Sequence, residues 1–227
     1  ESASRMTDFP EYAEINRAHW NRHADWWVAP GRRNWSAAEP SWGVWGISNS
    51  ELPLLPDDMT GMDAIELGCG TAYVSGWMKS RGARVVGIDP SDRQLETART
   101  LSTEHGAQIE FVHGVAESVP WADASFDFAI SEYGAAIWAD PRVWIPEAWR
   151  LLKPGGHLVF LGNSSWAMVC APDEGHTSMT MQRDYFGMHK VAWSDEGDPS
   201  VEFNLPISEW FALFKQTGFV VEDFYEV

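Results

Sequence analysis

The stretch that decides the fold is residues 63–71, which read Asp-Ala-Ile-Glu-Leu-Gly-Cys-Gly-Thr. Apolar side chains dominate its first five positions, as in a buried strand, and the two glycines that follow indicate a turn. A second apolar run, residues 84–89, ends on Asp89. A strand, a glycine-rich turn, a helix and a second strand in this order indicate a βαβ unit, the building block of a parallel sheet.

The alternation of strands and helices continues after this unit. Strands are predicted at residues 63–67, 84–89, 109–111, 126–131 and 157–161, and helices at residues 71–81, at 91–103 and from Pro146 to Leu152. Such spacing predicts the α/β class: a Rossmann-like, doubly wound, mostly parallel sheet with helices on both faces. Ligands of these sheets bind at the carboxyl ends of the strands, so the site is expected near residues 67–71, 89, 131 and 162.

Two segments outside this alternation divide the chain into four parts. Residues 1–62 are rich in Trp and Pro and are predicted to form an N-terminal helical cap and wrap, while residues 63–162 form the cofactor-binding core. Residues 163–205 are too long for a simple connection, which favours a lid or a substrate-binding insertion. Residues 206–227 are predicted to add a helix and, at 219–225, a sixth strand.

Charge and composition exclude several classes of function. The chain has 227 residues, with 16 Lys+Arg against 33 Asp+Glu and a formal net charge of −17. Nucleic acids and anionic membranes bind clustered positive charge, so neither is expected as a partner. Cys69 and Cys170 lack the spacing of a disulfide framework or a zinc site, and no apolar run is long enough to span a membrane, which favours a cytoplasmic protein.

Tryptophan is unusually frequent: the chain has 14, and six of them fall between Trp20 and Trp45. Most tryptophans serve packing because the side chain buries a large area. Packing is the favoured explanation for Trp77, Trp144, Trp149 and Trp210. Packing and ligand contact are equally open for Trp20, Trp27, Trp42 and Trp45.

The glycine-rich turn and the acid after it indicate the kind of ligand. Gly68 and Gly70 let the backbone approach a ligand, and Asp89 is placed to accept hydrogen bonds from both hydroxyls of a ribose. A nicotinamide dehydrogenase shares this layout, but Tyr73 occupies the position of its third glycine, and a carboxylate at Glu66 would repel a pyrophosphate. A ligand with a ribose, an amino-acid end and no phosphate fits better, which is S-adenosylmethionine.

Four segments of the core form a set of motifs. Residues 64–71 close the first strand, 89–91 follow the second, 125–127 lead into the fourth, and 152–156 precede the fifth. Together they resemble the motifs of class I S-adenosylmethionine-dependent methyltransferases of the small-molecule type, over about residues 60–162. The resemblance implies the doubly wound fold. The family usually ends with a seventh, antiparallel strand, which either lies beyond Val227 or is not part of this protein.

The resemblance also implies roles in cofactor binding. Backbone atoms around Gly68, Cys69 and Gly70, with Thr71 next to them in the motif, would line the methionine part of S-adenosylmethionine. Glu66 would be oriented toward that part through water or amides. These assignments depend on the backbone of the turn more than on its side chains.

The remaining cofactor contacts come from later strand ends and from the cap. Asp89 would hold the ribose and Pro90 would flank the adenine. Val115 stands where the family has an Asp that meets the adenine amino group, so that contact would fall to Ala116 or Glu117. A final group would lie near the sulfonium, whose positive charge an aromatic face attracts: Ser131, Glu132, Tyr133 and Trp27.

Candidate bases lie in the cap and after the fourth strand. His19 and His23 are four residues apart and share a helix face, but Trp20 occupies the position where zinc proteases carry Glu, so no metal site is predicted. A cap helix beside the methyl donor could still present either histidine as a base. Glu132 and Tyr133 are the other candidates, and His176 and His189 are alternatives on surrounding loops.

The predicted function is a methyltransferase that moves a methyl group by in-line displacement to a small-molecule acceptor. The product of the cofactor would be S-adenosyl-L-homocysteine, and catalysis would rest on holding the reactants close with water excluded. Two alternatives are a catalytically silent S-adenosylmethionine-binding protein and a nicotinamide-dependent oxidoreductase. The sequence makes no prediction about the oligomeric state.

Overall fold

The structure, a computed structural model, describes residues 9–195 and 197–227. The first eight residues of the predicted cap therefore lie outside the described range. In chain order the elements are α1 (Glu11–Trp35), β1 (Ser41–Trp42), β2 (Ile47–Ser48), β3 (Asp63–Leu67), α2 (Tyr73–Ser80), β4 (Arg84–Asp89), α3 (Asp92–Glu104), β5 (Glu110–His113), β6 (Phe126–Glu132), α4 (Ala135–Trp138), α5 (Pro141–Leu151), β7 (Leu152–Leu161), α6 (Ser165–Cys170), β8 (Lys190–Asp195), β9 (Asp198–Phe203) and α7 (Ile207–Thr217).

Five of these strands form one parallel sheet in the order β5-β4-β3-β6-β7. The chain builds outward from β3 in one direction through β4 and β5, and then returns to add β6 and β7 on the other side. The direction of winding reverses between β3 and β6, which makes this the switch point where such sheets bind ligands. The arrangement confirms the predicted Rossmann-like, doubly wound sheet with its N-terminal helix.

Helices and loops cover both faces of the sheet. The side chains of β3 alternate between these faces: Ile65 packs on the side of α5 with Trp144, and Ala64 packs on the side of α2 with Trp77. Because both faces are buried, most of the buried positions in the central strands β3, β4 and β6 are apolar, as expected of a parallel sheet. The two-stranded wrap β1–β2 closes the second face, where Trp42 is fully buried against Trp77.

Helix α1 lies across the carboxyl ends of the strands and is fastened along its length. The side chain of Asn16 donates to the backbone oxygen of Val201 at 2.8 Å and accepts from the nitrogen of Val201 at 2.7 Å, which ties α1 to β9. Near its end, the indole of Trp35 donates to the backbone oxygen of Thr71 at 2.8 Å. None of the helices in the described ranges has the length and apolar character required to cross a bilayer.

Two predicted elements at the C-terminal side differ from the structure. The helix predicted to start at Pro146 is α5, which starts five residues earlier at Pro141, where the side chain of Asp140 accepts from the nitrogen of Arg142 at 2.9 Å. A proline at the first helical position needs no hydrogen-bond donor, so the Asp140–Pro141 pair is the stronger start signal. Pro146 lies inside the helix.

The sixth strand predicted at residues 219–225 is wrong. These residues lie within the described range and form no strand after α7 ends at Gly218. The segment is rich in apolar residues, but a strand also needs a neighbouring strand to hydrogen-bond its backbone N–H and C=O groups. Residues 219–225 pair with no strand of the described sheet, one edge of which is β7.

The segment 163–205 carries more regular structure than a loop. It contains α6 and the antiparallel hairpin β8–β9, and β9 packs against α1. Its function as a lid stays a prediction.

Candidate functional site

The two glycines of the turn after β3 serve different purposes. A Cβ at Gly68 would lie 2.5 Å from the backbone nitrogen of Ala135, because the turn passes against the loop after β6. A Cβ at Gly70 would meet nothing within 4 Å. Both residues have positive φ angles. Gly68 is therefore required by packing within the protein, and Gly70 borders the open space that a ligand could occupy.

Asp89 is fastened to this turn from the end of β4. Its Oδ2 accepts from the backbone nitrogen of Gly70 at 2.8 Å, and its Oδ1 accepts from the nitrogen of Ser91 at 2.8 Å. Burial raises the pKa of Asp89 to about 6. Each carboxylate oxygen has a further lone pair, so the fixed carboxylate can still accept hydrogen bonds from a diol.

Glu66 supports the turn from below. Its Oε2 accepts from the nitrogen of Ser75 at 2.8 Å and from the hydroxyl of Ser75 at 2.5 Å, at the start of α2. Burial raises the pKa of Glu66 to about 8. The side chain is thus largely protonated and neutral at pH 7. In that state it would not repel a pyrophosphate, contrary to the expectation from the sequence.

The side chains of Cys69 and Thr71 are occupied by packing. Cys69 is buried among the residues that surround Trp35 on the side of α3. A Cβ at Gly31 of α1 would lie 2.6 Å from the Oγ1 of Thr71, so the helix and the turn are in close contact there. Only backbone atoms of these two turn residues are available to a ligand.

The face of α1 that lies on the core is interrupted at Trp27. Ala24 and Gly31, about one helical turn before and after it on the same face, are buried, whereas Trp27 is 43% exposed. Trp27 is thus partly accessible at a position between two buried residues of this helix face. Trp20 contacts Trp27 edge to face, with ring centroids 6.0 Å apart.

The residues predicted to meet the adenine are held in place by other parts of the protein. The backbone oxygen of Pro90 lies 2.9 Å from Nε2 of His113. Ala116 is buried in the main core. Glu117 accepts from the hydroxyl of Tyr12 at 2.8 Å and from the nitrogen of Asp140 at 3.1 Å, and burial raises its pKa. Glu117 thus joins the beginning of α1 to the beginning of α5.

The three residues at the end of β6 also have internal partners. The hydroxyl of Ser131 is fully buried and donates to the backbone oxygen of Leu67 at 2.7 Å, which fastens β6 to β3. Glu132 accepts from the nitrogen of Gly43 at 3.1 Å and from the hydroxyl of Tyr73, and burial raises its pKa. Tyr133 has a positive φ of 53°, which turns the chain sharply after the strand.

The two histidines of α1 meet an acid from the distant hairpin. Oδ2 of Asp198 contacts Nε2 of His23 and lies 3.0 Å from Nδ1 of His19. Arg22 donates through Nε to Oδ1 of the same carboxylate at 2.9 Å. Burial lowers the pKa of His19, and its ring stacks on Trp138 at 6.1 Å. The sequence offered no means of linking Asp198, 175 residues after His23, to this pair.

The other histidines proposed as bases lie apart from this group. Nε2 of His189 lies 2.8 Å from Oδ1 of Asp140, and His176 is exposed. The tryptophans range from buried to exposed, and five of the 14 are intermediate. The buried ones are Trp35, Trp42, Trp77 and Trp144, and those at least 40% exposed are Trp26, Trp27, Trp45, Trp149 and Trp166. Trp149, which was predicted to pack in the core, therefore lies at its edge and not in its interior.

Comparison with known proteins identifies the central unit. Residues 65–160 match the family model described as a methyltransferase domain. The ubiquinone biosynthesis O-methyltransferase of Ruegeria sp. (strain TM1040) is 32% identical over 158 residues, which cover 70% of this chain and 60% of that protein. The demethylmenaquinone methyltransferase of Lactococcus lactis is 35% identical over 111 residues, which cover 47% and 44%. The chain spans about half the length of these curated relatives.

The fold is also that of a solved structure. An S-adenosylmethionine-dependent methyltransferase from Mesorhizobium loti superposes with a TM-score of 0.64 at 23% identity, over 76% of this chain and 80% of that one. This likeness concerns the fold, while the sequence matches concern the motifs of the core. Residues 65–160 of this chain therefore match the methyltransferase-domain family, and the fold is that of the S-adenosylmethionine-dependent methyltransferase from Mesorhizobium loti.

Proposed function

We propose that this chain transfers a methyl group from S-adenosylmethionine to a small-molecule acceptor. The observation that carries the proposal is the open space at Gly70, bordered by the fixed carboxylate of Asp89 and covered by α1. When bound, S-adenosylmethionine would supply an electrophilic methyl group. A nucleophilic atom of the acceptor would bond to the methyl carbon in line as the bond between that carbon and sulfur breaks, with S-adenosyl-L-homocysteine as the leaving group.

The cofactor is held mainly by backbone and by Asp89 in this proposal. The backbone of residues 68–71 lines the amino-acid end, Asp89 accepts the ribose hydroxyls, and Pro90 flanks the adenine. Glu66 and Ser131 maintain the shape of the turn through their hydrogen bonds to Ser75 and Leu67. They act as positioning residues and need no contact with the cofactor.

Trp27 completes the cofactor site from above. A sulfonium is a cation, and the face of an indole attracts a cation within about 6 Å of its centroid. The partial exposure of Trp27 between buried neighbours on α1 supports this role. Adenine recognition is placed at the backbone around Ala116 or at the carboxylate of Glu117, whose two accepted hydrogen bonds both end on Oε1.

The acceptor in this proposal is a small, partly hydrophobic molecule with an aromatic or quinone-like ring. Trp20 and Trp138 contact each other at 5.1 Å beside Trp27 and offer an aromatic wall. The two relatives named above act, by their names, in ubiquinone biosynthesis and on demethylmenaquinone. The net charge of −17 disfavours a nucleic acid as acceptor.

The acceptor side is bounded by His19 and His23 rather than by Glu132 and Tyr133. Both oxygens of Glu132 already accept hydrogen bonds, and the ring of Tyr133 lies against Gly43 of the wrap. The histidines lie beside the aromatic wall, since the ring of His19 contacts both Trp20 and Trp138. Residues 163–205 close this side in the proposal, because their hairpin packs on α1.

We place the enzyme in the cytoplasm, where free thiols such as that of Cys69 stay reduced.

The proposal is tested first by cofactor binding. Calorimetry with S-adenosyl-L-homocysteine should show one site per chain, and Asp89→Ala should abolish most of the heat because the ribose loses its acceptor. Asp57→Ala, an exposed acid away from the turn, is the matched control and should bind as the unaltered chain does. Absence of binding by the unaltered chain refutes the cofactor assignment.

Transfer is tested second, with methyl-labelled S-adenosylmethionine and a panel of phenols, hydroquinones and amines. Labelled product that disappears with Asp89→Ala supports the proposed function. Cofactor binding without transfer to any acceptor identifies a silent binding protein instead. A quench of tryptophan fluorescence by reduced nicotinamide cofactor, with no response to S-adenosyl-L-homocysteine, identifies an oxidoreductase.

A further inference from the structure

The group formed by His19, His23 and Asp198 has the composition of a metal site. Two imidazole nitrogens and one carboxylate oxygen all lie within 4.8 Å of one another. They come from two elements that are far apart in the chain, since the histidines share one face of α1 and Asp198 begins β9. Nδ1 of His19 is buried, and its nearest polar partner is Oδ2 of Asp198 at 3.0 Å, in a geometry that does not meet the criteria of a hydrogen bond. A buried nitrogen that makes no well-formed hydrogen bond is a candidate metal ligand.

We propose that His19, His23 and Asp198 bind a divalent transition-metal ion of the Zn²⁺ type. Two histidines and one carboxylate are a ligand set that suits Zn²⁺ and its first-row neighbours, whereas Mg²⁺ and Ca²⁺ favour oxygen ligands. Three protein ligands leave at least one coordination position of a tetrahedral ion open. The arrangement is that of a site that keeps room for water or for an oxygen of another molecule.

The geometry can admit such an ion with a small adjustment. Ligand atoms about 2.1 Å from an ion at tetrahedral angles lie about 3.4 Å apart. Nδ1 of His19 and Oδ2 of Asp198 are 3.0 Å apart, and Nε2 of His23 is closer still, so the carboxylate must withdraw slightly. Asp198 is the first residue of β9. The three side chains are 19%, 20% and 23% exposed, which leaves a path for the ion.

Arg22 is compatible with this site although it is a cation. It contacts Oδ1 of Asp198 and leaves Oδ2 to face the two histidines. Carboxylates that bind metals are commonly held by a hydrogen bond to the other oxygen, which fixes their orientation. Trp138 stacks on His19 with a centroid distance of 6.1 Å, and the ring of Trp26 packs on His23 at 4.1 Å in a tilted arrangement. Both contacts restrict rotation of the imidazoles.

The ion would fasten the cap to the hairpin beside the acceptor. Helix α1 and β9 are already joined by Asn16 and Val201, and the ion would add a second link two turns along the helix. Its open position would face the side where the proposed function places the acceptor, and in that respect alone the inference rests on the proposed function. Binding of the ion itself does not depend on methyl transfer.

Metal binding is tested on the whole chain without a histidine tag, stripped with a chelator. Calorimetry with Zn²⁺ should give one ion per chain, and Co²⁺ should give the intense visible absorption of a tetrahedral site. Asp198→Asn and His23→Gln should each weaken Zn²⁺ binding at least a hundredfold, because each removes a ligand. His176→Gln, which changes an exposed histidine outside the cluster, is the matched control and should leave the affinity unchanged.

The outcomes separate this inference from the proposed function. S-adenosyl-L-homocysteine should still bind to Asp198→Asn, and Zn²⁺ should still bind to Asp89→Ala, so either site can fail alone. Absence of stoichiometric Zn²⁺ binding by the unaltered chain overturns the inference, as does equally tight binding by Asp198→Asn. If Asp198→Asn also fails to bind S-adenosyl-L-homocysteine, the Co²⁺ spectrum of the unaltered chain decides whether the metal site exists. Intense visible bands support tetrahedral coordination by the histidines, and the weak bands of an octahedral, oxygen-rich site overturn the inference.

Discussion

Replacement of Glu66 by glutamine tests the claim that the cofactor turn rests on a neutral, buried acid. The pKa of Glu66 is about 8 in the folded chain and near 4.5 when the side chain is exposed. The folded state therefore binds this proton more tightly than the unfolded state. The stabilisation is complete below pH 4.5 and is lost as the pH rises toward 8.

The size of the effect follows from the separation of the two pKa values. Between them, the free energy of unfolding falls by up to about 1.4 kcal/mol for each pH unit, because the folded state must carry a proton that the unfolded state releases. From about pH 5 to about pH 7 this amounts to at most about 3 kcal/mol. Glu66→Gln is neutral at every pH and keeps a carbonyl oxygen that accepts from Ser75, so it should lack this contribution.

Urea unfolding of both proteins at several pH values between about 5 and 8 measures the difference. The free energy of unfolding of the unaltered chain should fall relative to that of Glu66→Gln as the pH rises. Any constant cost of the new amide cancels, because the comparison concerns slopes. Glu96→Gln, which changes an exposed residue of α3, should retain the slope of the unaltered chain. Parallel curves for Glu66→Gln and the unaltered chain would refute the reasoning.

Three further substitutions test the packing and the contacts of the site. Gly68→Ala should destabilise the fold by at least about 2 kcal/mol in urea unfolding, because the new Cβ would lie 2.5 Å from the nitrogen of Ala135 at a positive φ; an unchanged midpoint contradicts this. Trp27→Ala should weaken S-adenosylmethionine binding roughly threefold to thirtyfold in calorimetry, whereas the exposed Trp45→Ala should not, and equal effects would argue against the aromatic contact. Ser91→Ala removes the N-cap of α3 and should lower the free energy of unfolding by about 1 kcal/mol. A urea midpoint equal to that of the unaltered chain would disprove this.

Local patterns predicted the core well because its signals lie close together in the chain. The apolar run of β3, the glycines after it and the acid at the end of β4 are all within one βαβ unit, and a parallel sheet with both faces buried needs such runs. The motif around Gly68 and Gly70 also predicted the turn after β3, where both glycines have positive φ angles. The sequence could not predict that Gly68 is required by packing and Gly70 is not, because the backbone that excludes a side chain at Gly68 comes from the loop after β6.

The errors occurred where an element depends on partners that are distant in sequence. Residues 219–225 are rich in β-branched and aromatic residues, but pairing requires a neighbouring strand in the right place, which no local pattern specifies. The start of α5 was misplaced because two prolines compete for the first position, and the cap at Asp140 decides between them. Trp149 was assigned to packing although it ends half exposed, since residue type alone does not determine depth.

By itself, the amino-acid sequence determined the sheet, its winding and the place of the glycine-rich turn, because these follow from periodicity and from the conformations that glycine allows. Only the tertiary structure decided the charge of Glu66, since burial sets its pKa. The same holds for the meeting of His19 and His23 with Asp198 across 175 residues. Such contacts depend on how α1 packs against the hairpin β8–β9. The amino-acid sequence alone does not specify the distance in space between the histidines and Asp198.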